Sequence, residues 1–201
     1  MDDMTTKDPI LCDKILVGIS GSPACLSMPQ YILLMRRSLA RRIDVIMTRT
    51  ATRFLPGYAV ELHAGRQVHT DLHEIVDDVR VPHLDLAADA DMFLVMPATA
   101  NVLGKAAAGI GDDLLSTAIL GCAAPVVFVP AMNAAMWENP VVQRNVDALR
   151  EVGHCVVNPG IGVQLADRAE GRGAMPPLEM ILDELMGVLK ARREPSGLDE
   201  D

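Results

Sequence analysis

Ala124-Pro125-Val126-Val127-Phe128-Val129, followed by Pro130-Ala131-Met132-Asn133-Ala134-Ala135-Met136-Trp137, is the stretch whose reading decides the fold. The first six residues form a short apolar run, rich in β-branched side chains and bounded by Pro, which reads as a buried strand. Glu138-Asn139-Pro140 then opens a helical segment over roughly 141–152. The eight residues from Pro130 are therefore a loop leaving the carboxyl end of a strand, the place where open α/β sheets bind ligands. The only Trp of the chain and a side-chain amide share this loop with two Met. Composition alone leaves two readings open. Trp137 and Asn133 are ligand contacts, or they are a core anchor and a turn residue.

Upstream, Asp91–Met96 reads as another strand, ended by Pro97-Ala98-Thr99-Ala100-Asn101, where small residues, a hydroxyl and an amide allow a planar ligand to approach closely. In the segment that follows, Lys105–Leu115, Asp112 or Asp113 can cap a helix running to about Leu120. Near the start, Lys14–Ser20 reads as the first strand, and Gly21-Ser22-Pro23 turns into an apolar helical stretch from Ala24 to about Leu39. Strand, Gly/Ser turn and helix N-terminus suit a phosphate, although the pattern is neither GxGxxG nor a Walker motif. Cys25 in the helix's first turn is either an acidified thiol or a small packed residue. Arg41–Met47 is the second strand, and Thr48-Arg49-Thr50-Ala51-Thr52 offers more hydroxyls at a strand end, with N-capping as the structural alternative.

The least periodic part, 57–82, is expected to hold a short helix and a weak strand. His83 stands ahead of a short apolar alternation (Leu84, Leu86), which reads as a short strand leading to a helix. It is the candidate catalytic histidine. His63, His69, His73 and His154 read as surface residues. His154-Cys155-Val156-Val157 is the last strand, 158–174 a Gly-rich loop carrying Arg168, Glu170 and Arg172, and Leu178–Arg193 a final amphipathic helix. A loop of that length suggests a lid. Strands alternate with helices throughout, which predicts a three-layer α/β fold with a mainly parallel sheet. The expected organisation is one domain over 14–193, with acidic tails at 1–13 and 194–201.

Composition narrows the function. The chain has 201 residues, enough for one full core, and a net charge of −9, which argues against a nucleic-acid groove or an anionic membrane surface. A phosphate would be held mainly by backbone N–H groups and hydroxyls. No apolar run approaches the roughly 18 residues needed to span a bilayer. The four Cys lack metal or redox spacing, and the acidic N-terminus does not read as a leader, so a reducing cytoplasmic setting without a metal is expected. The twelve Met read as core filler.

Pro97-Ala98-Thr99-Ala100-Asn101, Pro130–Trp137 and His83 together resemble the homo-oligomeric flavin-containing cysteine decarboxylases. These include phosphopantothenoylcysteine decarboxylase and the lantibiotic peptidyl-cysteine decarboxylases such as the epidermin enzyme. The likeness covers about residues 14–190. It implies an FMN enzyme with a Rossmann-like (flavodoxin-like) fold, assembled as trimers or multiples of trimers, with the flavin at a subunit interface. By that resemblance Gly21, Ser22, Pro23, Ala24 and Cys25, with Thr48 and Thr50, hold the phosphate. Thr99, Ala100, Asn101 and Met132 contact the isoalloxazine and ribityl chain. His83 looks like the active-site histidine and Asn133 like the holder of the substrate carboxylate. Met136, Trp137, Arg168 and Arg172 are further candidate substrate contacts, although a solvated charge group around Glu170 is the ordinary account of the two arginines.

The chemistry so implied begins with oxidation of a C-terminal cysteine thiol to a thioaldehyde. The C=S group is then a sink for the electrons left by departing CO2, and the product is an aminoenethiol. Phosphopantothenoylcysteine decarboxylase carries a further cysteine in its substrate-covering loop, used to reduce that product. The matching segment here, Gln164-Leu165-Ala166-Asp167-Arg168, has none, and Cys155 is the nearest thiol in the sequence. The fused ligase domain common beside bacterial coenzyme A decarboxylases is not seen in the sequence either. The expectation is a peptide decarboxylase that feeds S-aminovinylcysteine formation. Phosphopantothenoylcysteine decarboxylase and a non-catalytic regulatory flavoprotein are the alternatives. A flavin prenyltransferase relative is disfavoured by the Met-Asn loop.

Overall fold

The computed structural model describes residues 10–73, 82–163, 168 and 170–193. The tails read at 1–13 and 194–201 lie outside these, except for 10–13. β1 (Cys12–Ile19) begins inside the first of them. Of the segments read at 57–82 and 158–174, residues 74–81, 164–167 and 169 also lie outside.

Six strands form one parallel sheet: β1, β2 (Ala40–Met47), β3 (Val68–His69), β4 (Met92–Ala98), β5 (Val126–Pro130) and β6 (Cys155–Val156). Their order is β3-β2-β1-β4-β5-β6 and every pairing is parallel, which is the Rossmann order. The central strands are buried along almost their whole length, as a sheet covered on both faces requires.

Alternate side chains of these strands enter two cores. Ile15, Val17, Ile19, Val45, Leu94 and Val127 pack on one face against α1 (Met28–Ser38), α3 (Gly57–Ala64) and α9 (Leu178–Arg193). Leu16, Ile46, Phe93, Val95 and Phe128 face α4 (Pro82–Ala87), α5 (Ala100–Ala108), α6 (Leu114–Gly121) and α8 (Pro140–Glu151). The chain changes face between β3 and β4, so β1 and β4 flank the switch point. No helix among the described residues is long and apolar enough to cross a membrane.

Four local readings change. The helix expected from Ala24 is a five-residue 3-10 turn, Pro23–Ser27, followed by α1. Pro29 has no N–H to continue the first ladder and sits where a new helix begins. The segment after Pro82 is helix α4, not a strand. Leu84 is exposed and Leu86 buried, whereas a strand would carry both on one face. The loop from Pro130 contains a one-turn helix, α7 (Ala134–Trp137), and α5 appears where only a strand end was read. The Gly-rich 158–174 segment holds an antiparallel pair, β7 (Gly160–Val163) and β8 (Glu170–Ala174), whose glycines hide the strand signal. Three of the histidines read as surface residues are half-buried: His63, His69 and His154.

Candidate functional site

At the carboxyl ends of β1, β2 and β4 lies a cavity of about 640 Å³, lined by Ser20, Gly21, Thr48, Thr50, Thr99, Ala100 and Asn101. Sequence and local geometry explain the hydroxyls. The Ser20 hydroxyl accepts the Thr99 backbone N–H at 3.0 Å and donates to Pro97 O at 2.7 Å, tying the end of β1 to the start of α5. Thr99 caps α5 by accepting the Val102 N–H. Thr48 Oγ1 accepts the Ala51 N–H at 3.2 Å, so capping is part of its role, and its own O–H remains a donor. The first-turn N–H groups of α5 add the dipole end that favours an anion.

Gly21 is required for steric reasons. A Cβ built there would lie 2.3 Å from Thr50 Cγ2 and 2.5 Å from Thr50 Cβ, so the two turns can approach this closely only without a side chain. A cradle of this kind, with free hydroxyls and a helix N-terminus around a cavity of this size, fits the phosphate and ribityl chain of FMN.

The same cavity includes residues that the sequence reading did not single out: Arg49, Lys105, Asp112 and the Thr70–His73 turn after β3. Lys105 Nζ is bound by Asp112 at 2.5 Å and Asp113 at 2.7 Å. Burial favours the neutral forms, but these hydrogen bonds outweigh it, raising the ammonium's pKa and holding Asp113 below the carboxylate range. Asp113 also accepts the Ser116 N–H at 2.8 Å, so it, rather than Asp112, caps α6. Arg49 has no carboxylate partner among the described residues. An arginine inside a hydroxyl-rich turn at a strand end was the available signal for it.

Beyond the Gly21–Ser22 turn lies a second, mostly apolar cavity of about 320 Å³. Its walls come from Ser22, Pro23 and Ala24, from Ala131, Met132 and Asn133, and from the β7–β8 hairpin at Gly162, Val163, Gly171 and Ala174. Asn133 caps α7, its Oδ1 accepting the Met136 N–H at 2.8 Å. That bond fixes the amide's orientation, and Nδ2 has no hydrogen-bond partner among the described residues. Met132 N–H bonds to Gly173 O at 2.9 Å, joining this loop to the hairpin.

The remaining candidates separate. Met136, although its N–H bonds to Asn133, lines the larger cavity and not the apolar one. Trp137 is 6 % exposed, belongs to the core under α8 and lines neither cavity, which is the core-anchor alternative. Cys25 is buried, and burial raises its pKa, so the acidified-thiol reading fails. Cys155 is raised by burial and by Glu184, and lines neither cavity. Arg168 and Arg172 are exposed, outside both cavities, and neither is ion-paired to Glu170 among the described residues. His83 also lines neither. It is half-buried on α4, and its Nδ1 is buried without a hydrogen-bond partner among the described residues.

A parallel Rossmann-ordered sheet with a hydroxyl-lined cavity at its switch point defines a mononucleotide-binding α/β protein. Residues 4–190 match the Flavoprotein family model, and the chain belongs to that family. It is 32 % identical over 187 residues to mersacidin decarboxylase of Bacillus sp. (strain HIL-Y85/54728), covering 91 % of this chain and 94 % of that protein. It is 34 % identical over 179 residues to the coenzyme A biosynthesis bifunctional protein CoaBC of Bacillus subtilis (strain 168), covering 89 % of this chain but only 42 % of that protein's length. The FMN-dependent cysteine decarboxylase SpaF superposes with a TM-score of 0.77 at 32 % identity, over 89 % of this chain and 96 % of SpaF.

Proposed function

We propose that this protein removes CO2 and two hydrogens from the C-terminal cysteine of a ribosomally made peptide, giving an aminoenethiol for S-aminovinylcysteine formation. The broader assignment is plain: it is a flavin-dependent cysteine decarboxylase, and its cofactor is FMN. The observation that carries the finer reading is the second cavity. Asn133 Nδ2 is free to donate to a carboxylate, while the apolar walls hold no thiol.

Bound FMN supplies the hydride acceptor that turns the cysteine thiol into a thioaldehyde. The protein's part is placement and charge. Asn133 holds the carboxylate by a charge-assisted hydrogen bond and fixes which bond breaks. The apolar cavity excludes water from the carbanion-like electrons as CO2 leaves. His83 assists thiol deprotonation or stabilises the enethiolate. It lies outside both cavities of its own chain, which supports an assembly in which one copy completes the site of the next. The exposed apolar side chain of Leu84, beside it on α4, is consistent with such a contact.

Among the described residues no thiol lines either cavity, which supports a product left as the enethiol. The four free thiols suit a reducing compartment. The likeness to CoaBC supports the second reading, phosphopantothenoylcysteine as substrate. Two parallel reactions in air, followed by mass spectrometry, separate the readings. Loss of CO2 plus two hydrogens from a Cys-ended peptide alone is the expected result. Loss of CO2 only, from the pantothenoyl substrate, would replace it, and a flavin-loaded protein inert on both would point to a regulator.

A further inference from the structure

Gly173, in β8 of the hairpin, stands against the backbone of Met132 and Asn133. Its φ is +140°, a region that L side chains rarely adopt. A Cβ built on it would lie 2.5 Å from Met132 O and 3.1 Å from both C and O of Asn133. These are backbone atoms, which cannot swing aside as the end of a long side chain can. Gly173 O also accepts the Met132 N–H at 2.9 Å. The hairpin is thus braced main chain to main chain on the two residues that lead into α7.

The side chain of Asn133 has little freedom of its own once Oδ1 caps α7. The direction of its Nδ2 is then set by the main chain of residues 132 and 133, the part that Gly173 abuts. We infer that Gly173 is a positioning residue, whose contact with Met132 and Asn133 aims the Asn133 amide at the carboxylate of the substrate cysteine. The inference rests on the reading of Asn133 as the carboxylate holder. It holds for either candidate substrate, since both end in a cysteine carboxylate.

The test compares ligands with and without that carboxylate. FMN-loaded protein is reduced under argon, so that the flavin can take no hydride and nothing turns over. Calorimetry then gives the affinities of a Cys-ended peptide and of the same peptide ending in cysteamine. The unmutated protein is expected to prefer the carboxylate by roughly tenfold or more, as a hydrogen bond to a charged group would. Gly173→Ala is expected to bring that preference to within about threefold of none, as Asn133→Ala does, with the flavin spectrum unchanged. Gly162→Ala is the control. Its Cβ would lie 2.6 Å from Ala174 Cβ, disturbing the same hairpin at a side chain instead of at the Met132–Asn133 backbone. It should weaken both ligands together and keep the preference.

A preference retained in Gly173→Ala overturns the inference, and so does one lost in both glycine variants. Should Gly173→Ala fail to fold, hydrogen exchange at the Met132 amide of the unmutated protein decides. By reciprocity, protection should rise with the Cys-ended ligand and not with its cysteamine counterpart, and equal protection overturns the coupling. If the peptide pair does not bind, 4′-phosphopantothenoylcysteine and 4′-phosphopantetheine take its place. Binding of that pair alone corrects the substrate and leaves the inference to the same criteria, whereas binding of neither pair overturns both.

Discussion

Replacing Asn133 separates its cap from its proposed carboxylate contact, because the two use opposite ends of one amide. Oδ1 accepts the Met136 N–H and caps α7, while Nδ2 is the free donor. Asn133→Asp keeps an acceptor for the cap but offers the substrate carboxylate only another carboxylate. Asn133→Ala removes both functions. On stability, Ala should therefore be the worse variant, by about 0.5–1 kcal/mol, the low end for a cap because α7 is a single turn. The Asp variant should lie within about 0.5 kcal/mol of the parent.

On catalysis the order reverses. Losing a hydrogen bond to a charged group costs about 1.5–3 kcal/mol, so Ala should lower kcat/KM by roughly 10- to 100-fold. Two like charges about 4 Å apart repel by about 1 kcal/mol in water and about 4 kcal/mol at a protein surface. Asn133 is exposed, so the smaller figure applies, and Asp should fall about a further fivefold below Ala. Urea unfolding gives one order, and mass-spectrometric rates with a Cys-ended peptide give the other. If Asp is the faster variant, or Ala the more stable one, the assignment of the two ends of the amide is wrong.

Three further outcomes follow from the geometry. Gly21→Ala would force the β1 turn away from Thr50, so the purified variant should lose most of its bound FMN absorbance; a fully yellow variant would refute the cradle. Trp137→Phe should cost about 1–2 kcal/mol in unfolding while leaving KM for the peptide within about twofold, as expected of a core residue. A large KM change would return Trp137 to the substrate site. His154 sits edge-on to Phe128 with centroids 5.8 Å apart, and burial lowers its pKa. The unfolded chain then binds more protons than the folded one below the ordinary histidine pKa of about 6.5. Stability from this group is full above that value and falls as pH drops towards the folded pKa. The slope is only a fraction of the one-proton ceiling of about 1.4 kcal/mol per pH unit, since the ring is half-buried. His154→Gln should flatten that part of the stability profile, and an unchanged slope would assign it elsewhere.

The parallel sheet was legible because its strands are continuous apolar runs that can only be buried on both faces. Lys14–Ser20, Asp91–Met96 and Ala124–Val129 all lie within a residue or two of observed strands. Elements whose residues serve the backbone rather than the core were not legible. β7 and β8 hold Gly160, Gly162, Gly171 and Gly173, which carry no side-chain periodicity. α5 begins at a threonine that the eye assigns to a ligand, although the same hydroxyl caps the helix. Leu84 and Leu86 mimic strand alternation over a segment too short for helical spacing to declare itself.

The site divides along the same line. Residues that line the larger cavity through small size or hydroxyl groups (Gly21, Thr48, Thr50, Thr99) can be read from their place at strand ends, because the fold brings strand ends together whatever else the chain does. Asn133 could be named, but its function could not be divided between cap and ligand until Met136 N–H was seen to occupy Oδ1. Gly173 could not be named at all. It lies forty residues from Asn133, and only the folded main chain shows that a Cβ there has nowhere to go. His83 is the complementary case: a chemically obvious residue that lines neither cavity, with a buried nitrogen that finds no partner among the described residues. Burying a polar atom without a partner costs free energy, so a second chain that supplied the partner would be stabilised by the contact that also completes the site. Assembly and FMN retention should then be lost together, and a variant that runs as a monomer yet stays yellow would break that link.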